Sequence, residues 1–89
     1  MTIVIDRKSI TDRMINDIDQ IDKRKIDQHT YSKLIGVKDI IRNFQNGKMD
    51  FEDVVSQMQD NMTGLSGEIY LQLETDLFIF ILTDITSIF

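Results

Sequence analysis

The C-terminal segment, from Glu68 to Phe89, most constrains the fold, because its apolar residues fit two different secondary structures. Residues 68 to 74 read Glu-Ile-Tyr-Leu-Gln-Leu-Glu and alternate polar with apolar side chains, as a half-buried β-strand does. Residues 77 to 82 are rich in Phe and Ile, which favour strands. A β-hairpin over about residues 68 to 84 is therefore one prediction for this segment.

A helix is the other prediction for the same segment. At 100° per residue, most of its polar side chains fall within one arc of about 120°. The members of this polar arc are Glu68, Gln72, Thr75, Asp76, Thr83, Thr86 and Ser87, with Ile79 among them. Ser66 is a suitable N-cap, flanked by Leu65 and Tyr70 at the positions of a hydrophobic staple. We favour the helix on this pattern.

Apolar residues at helical spacing predict three further helices, over about residues 11–25, 30–46 and 50–62. Thr11 is the predicted cap of the first helix and Asp50 of the third. Asn46 and Gly47 provide the left-handed stop that helix C-termini favour. Gly36 inside the second helix costs about 1 kcal/mol relative to alanine, unless a close neighbour needs the space.

These elements predict one all-α domain over residues 1–89, a three- to four-helix bundle with a possible short extended arm at Thr2–Asp6. The alternative is an α+β fold with the C-terminal hairpin. With 89 residues and no cysteine, stability must come from packing or self-association. The first eight residues lack the pattern of a signal peptide, which predicts a cytoplasmic protein. Glu74, Asp76 and Asp84 interrupt the apolar C-terminal segment, so we predict no membrane association.

Charge is distributed unevenly along the chain, whose formal net charge is −5. All ten Lys and Arg residues lie at or before Lys48, together with seven acids, so that this part carries +3. From Asp50 onward there are eight acids and no base. Such a dipolar chain is suited to pairing with a copy of itself or to a partner of complementary charge. The residues that we predict as charged contacts for a partner protein are Lys23, Arg24, Lys25, Glu52, Asp53 and Asp60.

A C-terminal helix would be apolar around most of its circumference. This apolar surface is broader than three short helices of the same chain need to cover. We therefore predict a homodimer that buries part of this helix, because small chains commonly complete their cores by self-association. The predicted self-association residues are Tyr70, Leu73, Leu77, Phe78, Phe80, Ile81, Ile85 and Ile88.

Motifs that carry chemistry do not occur in the sequence. His29 is the one histidine and lies in a polar stretch predicted as a linker, away from any arrangement typical of a nucleophile and its base. The sequence has no G-x-S-x-G, H-E-x-x-H, Walker or dinucleotide-binding pattern. The aspartates between Asp17 and Asp22 lack the glycine and the closing glutamate of a calcium loop. We therefore predict no enzyme activity and no catalytic, cofactor-binding or metal-binding residues.

The helix order resembles that of small helical bacterial connector proteins, through apolar spacing between about Leu34 and Leu82 alone. It also resembles bacteriocin-immunity bundles and small phage-encoded inhibitors. No motif ties the chain to one of them, and no functional residue follows from the resemblance. We expect a non-catalytic interaction module, a small acidic regulator or inhibitor that binds and modulates a partner protein as a homodimer.

Two alternatives stay open. The first is a nucleic-acid-associated regulator that uses the basic N-terminal half, although the predicted helix at residues 50–62 carries acids and no base. The second is an acidic nucleic-acid mimic or immunity-type inhibitor.

Overall fold

The protein is a bundle of four antiparallel α-helices in a computed structural model that describes residues 6–86, with side chains through residue 84. A single 3-10 turn, η1, joins the first two helices. The elements are α1 (Arg7–Asp19), η1 (Lys23–Lys25), α2 (Gln28–Gln45), α3 (Phe51–Met62) and α4 (Gly67–Thr86). The predicted all-α bundle is confirmed, and the alternative hairpin over residues 68 to 84 is wrong, because α4 runs through it without a break. Of the predicted arm, Thr2 to Ile5 lie outside the described residues.

Aspartates at the N-caps determine where three of the helices begin. Asp6, Asp27 and Asp50 each accept a hydrogen bond from the backbone N–H three residues later, at 2.7, 2.7 and 2.9 Å. These bonds satisfy donors that the first turn of a helix leaves free. The bond from the backbone N–H of the third residue is the main cause that lowers the pKa of Asp6 and of Asp27.

The first helix differs from its predicted bounds at both ends. It begins at Arg7 rather than at Thr11, because Asp6 is the cap and Thr11 lies one turn inside. The Thr11 hydroxyl is buried and donates to the Arg7 carbonyl oxygen at 2.7 Å. The helix ends at Asp19, six residues early, because Asp22 caps the separate turn η1 by accepting the Arg24 backbone N–H at 3.0 Å. Because Asp6 and Asp22 each cap an element, the residues predicted as one helix form a helix followed by a separate turn.

The predicted C-terminal ends of α2 and α3 are confirmed, whereas α2 begins at Gln28 rather than at Thr30, because Asp27 is its cap. Asn46 is the C-cap of α2, and Gly47 takes a left-handed φ of 74°. The next backbone N–H, that of Lys48, then donates to the Asn43 carbonyl oxygen at 2.8 Å and closes the turn. After α3, Gly64 takes a φ of 93° and redirects the chain into α4.

The core lies inside a ring of neighbouring helices, in which α1 contacts α2 and α4, and α3 contacts the same two helices. Phe80 is fully buried at its centre, edge-to-face with Phe44 at 5.3 Å between ring centroids and stacked on Phe51 at 4.8 Å. The other fully or nearly fully buried apolar side chains are Ile10, Met14, Ile18, Leu34, Val37, Ile40, Ile41, Val54, Met58, Met62, Leu65, Leu73 and Leu77.

Gly36 has the close neighbour that would explain its place in α2. A Cβ atom built there would lie 2.6 Å from Asn61 Oδ1 on α3. The Asn61 side chain is itself held, because its Nδ2 donates to the Gln57 carbonyl oxygen at 2.9 Å. The absence of a side chain at Gly36 therefore allows the amide group of Asn61 to lie close to the backbone of α2.

Gly36→Ala tests this packing in two backgrounds. With Asn61→Ala already present, the alanine has space, and we expect it to raise the free energy of unfolding by about 1 kcal/mol through helix propensity. In the native background the gain should be smaller, because Asn61 must move. Urea denaturation of the four proteins measures both values, and equal gains in the two backgrounds would show that the contact has no energetic effect.

Candidate functional site

The inward face of α4 belongs to the core of the single chain. Three of the predicted self-association residues, Leu73, Leu77 and Phe80, are 1%, 5% and 0% exposed. They are therefore closed to a second chain while the bundle is intact. Tyr70 and Ile81 are half-buried at the edges of this face, and Phe78 points to solvent. The side chain of Ile85 and the whole of Ile88 lie outside the described residues.

A row of polar contacts joins α1 to α4, and we call it the polar seam. At one end of the seam, Arg7 Nε donates to Thr83 Oγ1 at 3.3 Å. Near its other end, Gln72 Nε2 donates to Asp17 Oδ2 at 3.0 Å. In the middle, Arg13 and Asp76 form an ion pair at 3.7 Å. At the Arg7 end, Arg7 is also paired with Asp84 at 3.0 Å. Along the polar seam, the residue numbers of α1 decrease in the direction in which those of α4 increase, so the two helices are antiparallel.

Asp76 is the most unusual group in the seam, because its side chain is 0% exposed. Its Oδ1 accepts from Gln72 at 3.4 Å, whereas its Oδ2 is buried without a hydrogen-bond partner among the described residues. Burial, followed by hydrogen bonding with Asp17 and the charge of Asp17, raises the pKa of Asp76 to about 7, against the opposing effects of Gln72 and Arg13. A proton on this carboxyl removes the buried charge at the expense of the ion pair with Arg13.

The polar seam holds helices together and is closed to ligands at its centre. Sequence reasoning placed Asp76 and Thr83 in a polar arc and did not identify them as buried. The polar arc was the available signal, but the positions of residues around a helix do not tell whether such an arc faces solvent or another helix. In this bundle, the part of the arc that contains Gln72, Asp76 and Thr83 faces α1.

The side of α4 that lies opposite its buried core face is exposed to solvent and carries apolar residues. Leu71 is 61% and Phe78 is 60% exposed, and these residues lie two turns apart on one face. Thr75 lies between them and is exposed, and Leu82 continues the row in a half-buried position. We call Leu71, Thr75, Phe78 and Leu82 the outer stripe. Leu71 and Leu82 were missed as contact residues, although their spacing of eleven residues is three helical turns.

Exposed large apolar side chains are otherwise rare in the described part of the chain. The remaining one is Ile35 on α2, which is 37% exposed and lies beside an apolar groove between α1, η1 and α2. Single exposed apolar residues are normal, whereas an aligned row is typical of contact surfaces. The outer stripe is therefore the candidate functional site of the chain.

The predicted charged contact residues are all exposed but lie in separate places. The three bases Lys23, Arg24 and Lys25 form the turn η1, where Arg24 is paired with Asp22 at 3.2 Å. Lys23 lies over the Tyr31 ring at 5.5 Å. The acids are on α3, with Glu52 and Asp53 in its first turn and Asp60 near its end. The structure therefore does not gather these six residues into one site.

Other kinds of site find little support in residues 6–84. His29 lies exposed in the first turn of α2 rather than in a linker. No group of three or more His, Asp or Glu side chains in this range is placed to hold a metal ion. Across the described helices, none combines the length and apolar character needed to cross a bilayer.

Comparison with known proteins adds no relative: no family model, no curated protein and no solved structure matches the chain.

The buried carboxyl of Asp76 predicts a pH dependence of stability. In the unfolded chain Asp76 ionises near 3.8, whereas in the folded protein it ionises only near pH 7. Between these values the folded protein keeps a proton that the unfolded chain releases. This group therefore lowers the free energy of unfolding as pH rises from about 4 to about 7, by roughly 4 kcal/mol at most, and has no further effect above that range.

Asp76→Asn removes this titration and keeps the size of the side chain. We expect the variant to match the native protein near pH 4, to exceed its stability by a margin that grows up to about pH 7, and to keep that margin at pH 8. Urea denaturation at several pH values measures the difference, with the exposed Asp60→Asn as the matched control. A difference between Asp76→Asn and native protein that stays constant with pH would contradict the assignment.

Proposed function

We propose that the protein is a non-catalytic protein-interaction module whose principal contact surface is the outer stripe. The observation that carries the proposal is the exposure of Leu71 and Phe78, at 61% and 60%, on one face of α4. Leaving such side chains in water is unfavourable by about 25 cal/mol per Å² of apolar surface, and contact with another protein removes this cost. The proposal includes a regulatory or inhibitory role in which the module binds and modulates a partner protein.

The rim of the outer stripe supports a protein partner rather than a nucleic acid. The exposed charged residues of α4 beside the outer stripe are Glu68 and Glu74, and no base occurs from residue 50 onward. Phosphate would be repelled by this side of the bundle. An apolar centre with a charged rim is the usual composition of a protein contact surface. Charges such as those of Glu52, Asp53 and Asp60, or of the basic turn η1, would then tune the rate and specificity of association.

Capture from an extract of the organism that encodes the protein tests the proposal. The native chain, the double variant Leu71→Ser/Phe78→Ser and the control Ile35→Ser are used as bait in parallel. We expect the native and control baits to retain the same proteins, and the double variant to lose at least about 90% of them. The reason is that a small number of residues contributes most of the binding free energy of a contact surface. Ile35 is a matched control because it is also a large apolar residue exposed outside the outer stripe.

Circular dichroism and urea denaturation of the baits establish that all three are folded, which the exposure of the substituted residues leads us to expect. If the double variant retained the same proteins as the native chain, the contact surface would lie elsewhere. The proposal would then be wrong.

A further inference from the structure

Two carboxylates meet in the middle of the polar seam and share the same two neighbours. Gln72 Nε2 lies 3.0 Å from Asp17 Oδ2 and 3.4 Å from Asp76 Oδ1. Arg13 Nε lies 3.8 Å from the same oxygen of Asp17 and 3.7 Å from that of Asp76. These two distances are too long for hydrogen bonds, so Arg13 contributes its charge alone. One base therefore serves two acids.

Asp76 receives no other polar contact from the bundle. The helices α2 and α3 are described over their whole lengths, and neither gives it an ion pair or a hydrogen bond. The charged groups that contact it are thus Arg13 and Asp17, both on α1, and Gln72 is its polar neighbour on α4. With both acids ionised, the site holds two negative charges and one positive charge, and one of the negative charges is fully buried.

We propose that loss of the proton from Asp76 opens the contact between α1 and α4, while α2, α3 and α4 stay packed together. With the proton in place, the Asp76 hydroxyl donates to the Asp17 carboxylate, and the remaining charge is balanced by Arg13. Without the proton, the two carboxylates repel each other, and the buried one regains water only when α1 moves away. The seam is then a proton-dependent conformational switch, which is independent of the outer stripe.

The helix that moves is α1, because it costs the least apolar burial. Its fully or nearly fully buried apolar side chains are Ile10, Met14 and Ile18. By contrast, α4 carries Phe80, which contacts aromatic rings on both α2 and α3. The contacts of α3 with α2 and with α4 do not involve α1 and remain when it moves. Local opening is expected where the fewest apolar contacts are lost.

The direction of the pH dependence follows from the proton on Asp76. In the closed bundle, burial and Asp17 raise its pKa to about 7, whereas beside water it ionises near the ordinary value of 3.8. Between these values the closed form keeps a proton that the opened form releases. The equilibrium constant for opening therefore rises from about pH 4 to about pH 7, by at most about a thousandfold, and is constant above that range.

Reaction of single cysteines with a thiol reagent measures this opening, since the native chain has no cysteine. Met14→Cys on α1 and Met58→Cys on α3 form a matched pair, because both methionines are 0% exposed. Rates are measured between about pH 5 and pH 8 and divided by the rate of the same variant in urea, which removes the ionisation of the thiol itself. We expect Met14→Cys to react at least about tenfold faster than Met58→Cys at pH 8, through local opening.

Addition of Asp76→Asn tests whether the proton controls the opening. In this background the corrected rate of Met14→Cys should no longer rise with pH, whereas the exposed control Asp60→Asn should leave the rise intact. Circular dichroism establishes that each variant is folded, and Ile18→Cys on the same face of α1 replaces Met14→Cys if that variant is not.

Two results would overturn the proposal. Equal corrected rates for the α1 and α3 cysteines at every pH would show that the seam opens only when the whole bundle unfolds. A rise with pH that persists in the Asp76→Asn background would show that the proton lies on another group. A fast α1 cysteine whose pH dependence disappears with Asp76→Asn supports the proposal.

Discussion

The polar seam between α1 and α4 is the contact on which the rest of the arrangement depends, because it fixes the rotation of α4 about its own axis. A helix that is apolar on nearly every side has several faces that would fit a core equally well. Gln72, Asp76 and Thr83 remove this ambiguity, since their partners Asp17, Arg13 and Arg7 lie in antiparallel register on α1. With that rotation fixed, Phe80 points into the core and Phe78 points out.

The seam contributes more to orientation than to stability. Asp76 loses its hydration on burial, and its Oδ2 has no hydrogen-bond partner among the described residues to replace the lost water. A buried charge in such a position costs free energy unless it is well paired, which is why protonation is favoured there. The main stabilisation comes instead from the apolar residues of all four helices around Phe80, Met14, Met58 and Ile41.

The outer stripe is a consequence of the same constraint. A fourth helix has one side against α1, another against α3 and a third toward the core, and the side that remains must face solvent. With the seam residues turned toward α1, the solvent side presents Leu71 and Phe78 next to exposed polar residues such as Thr75. Function, as we propose it, follows from this distribution: the side chains that the bundle does not cover are those that a second protein surface is suited to cover.

The sequence by itself determined that the chain forms helices and where α2 and α3 end, because caps and apolar spacing are local properties. Asp50, Asn46 and Gly47 mark ends that agree with the structure, and Gly36 indicated a close neighbour. Local reasoning also gave the excess of apolar surface on the last helix, but it assigned Leu73, Leu77 and Phe80 to a second chain and omitted Leu71 and Leu82. Only the tertiary structure decided which face of α4 is inside. The physical reason is that α4 lacks a uniquely apolar face, so its rotation depends on the positions of Arg7, Arg13 and Asp17, which lie more than fifty residues away along the chain.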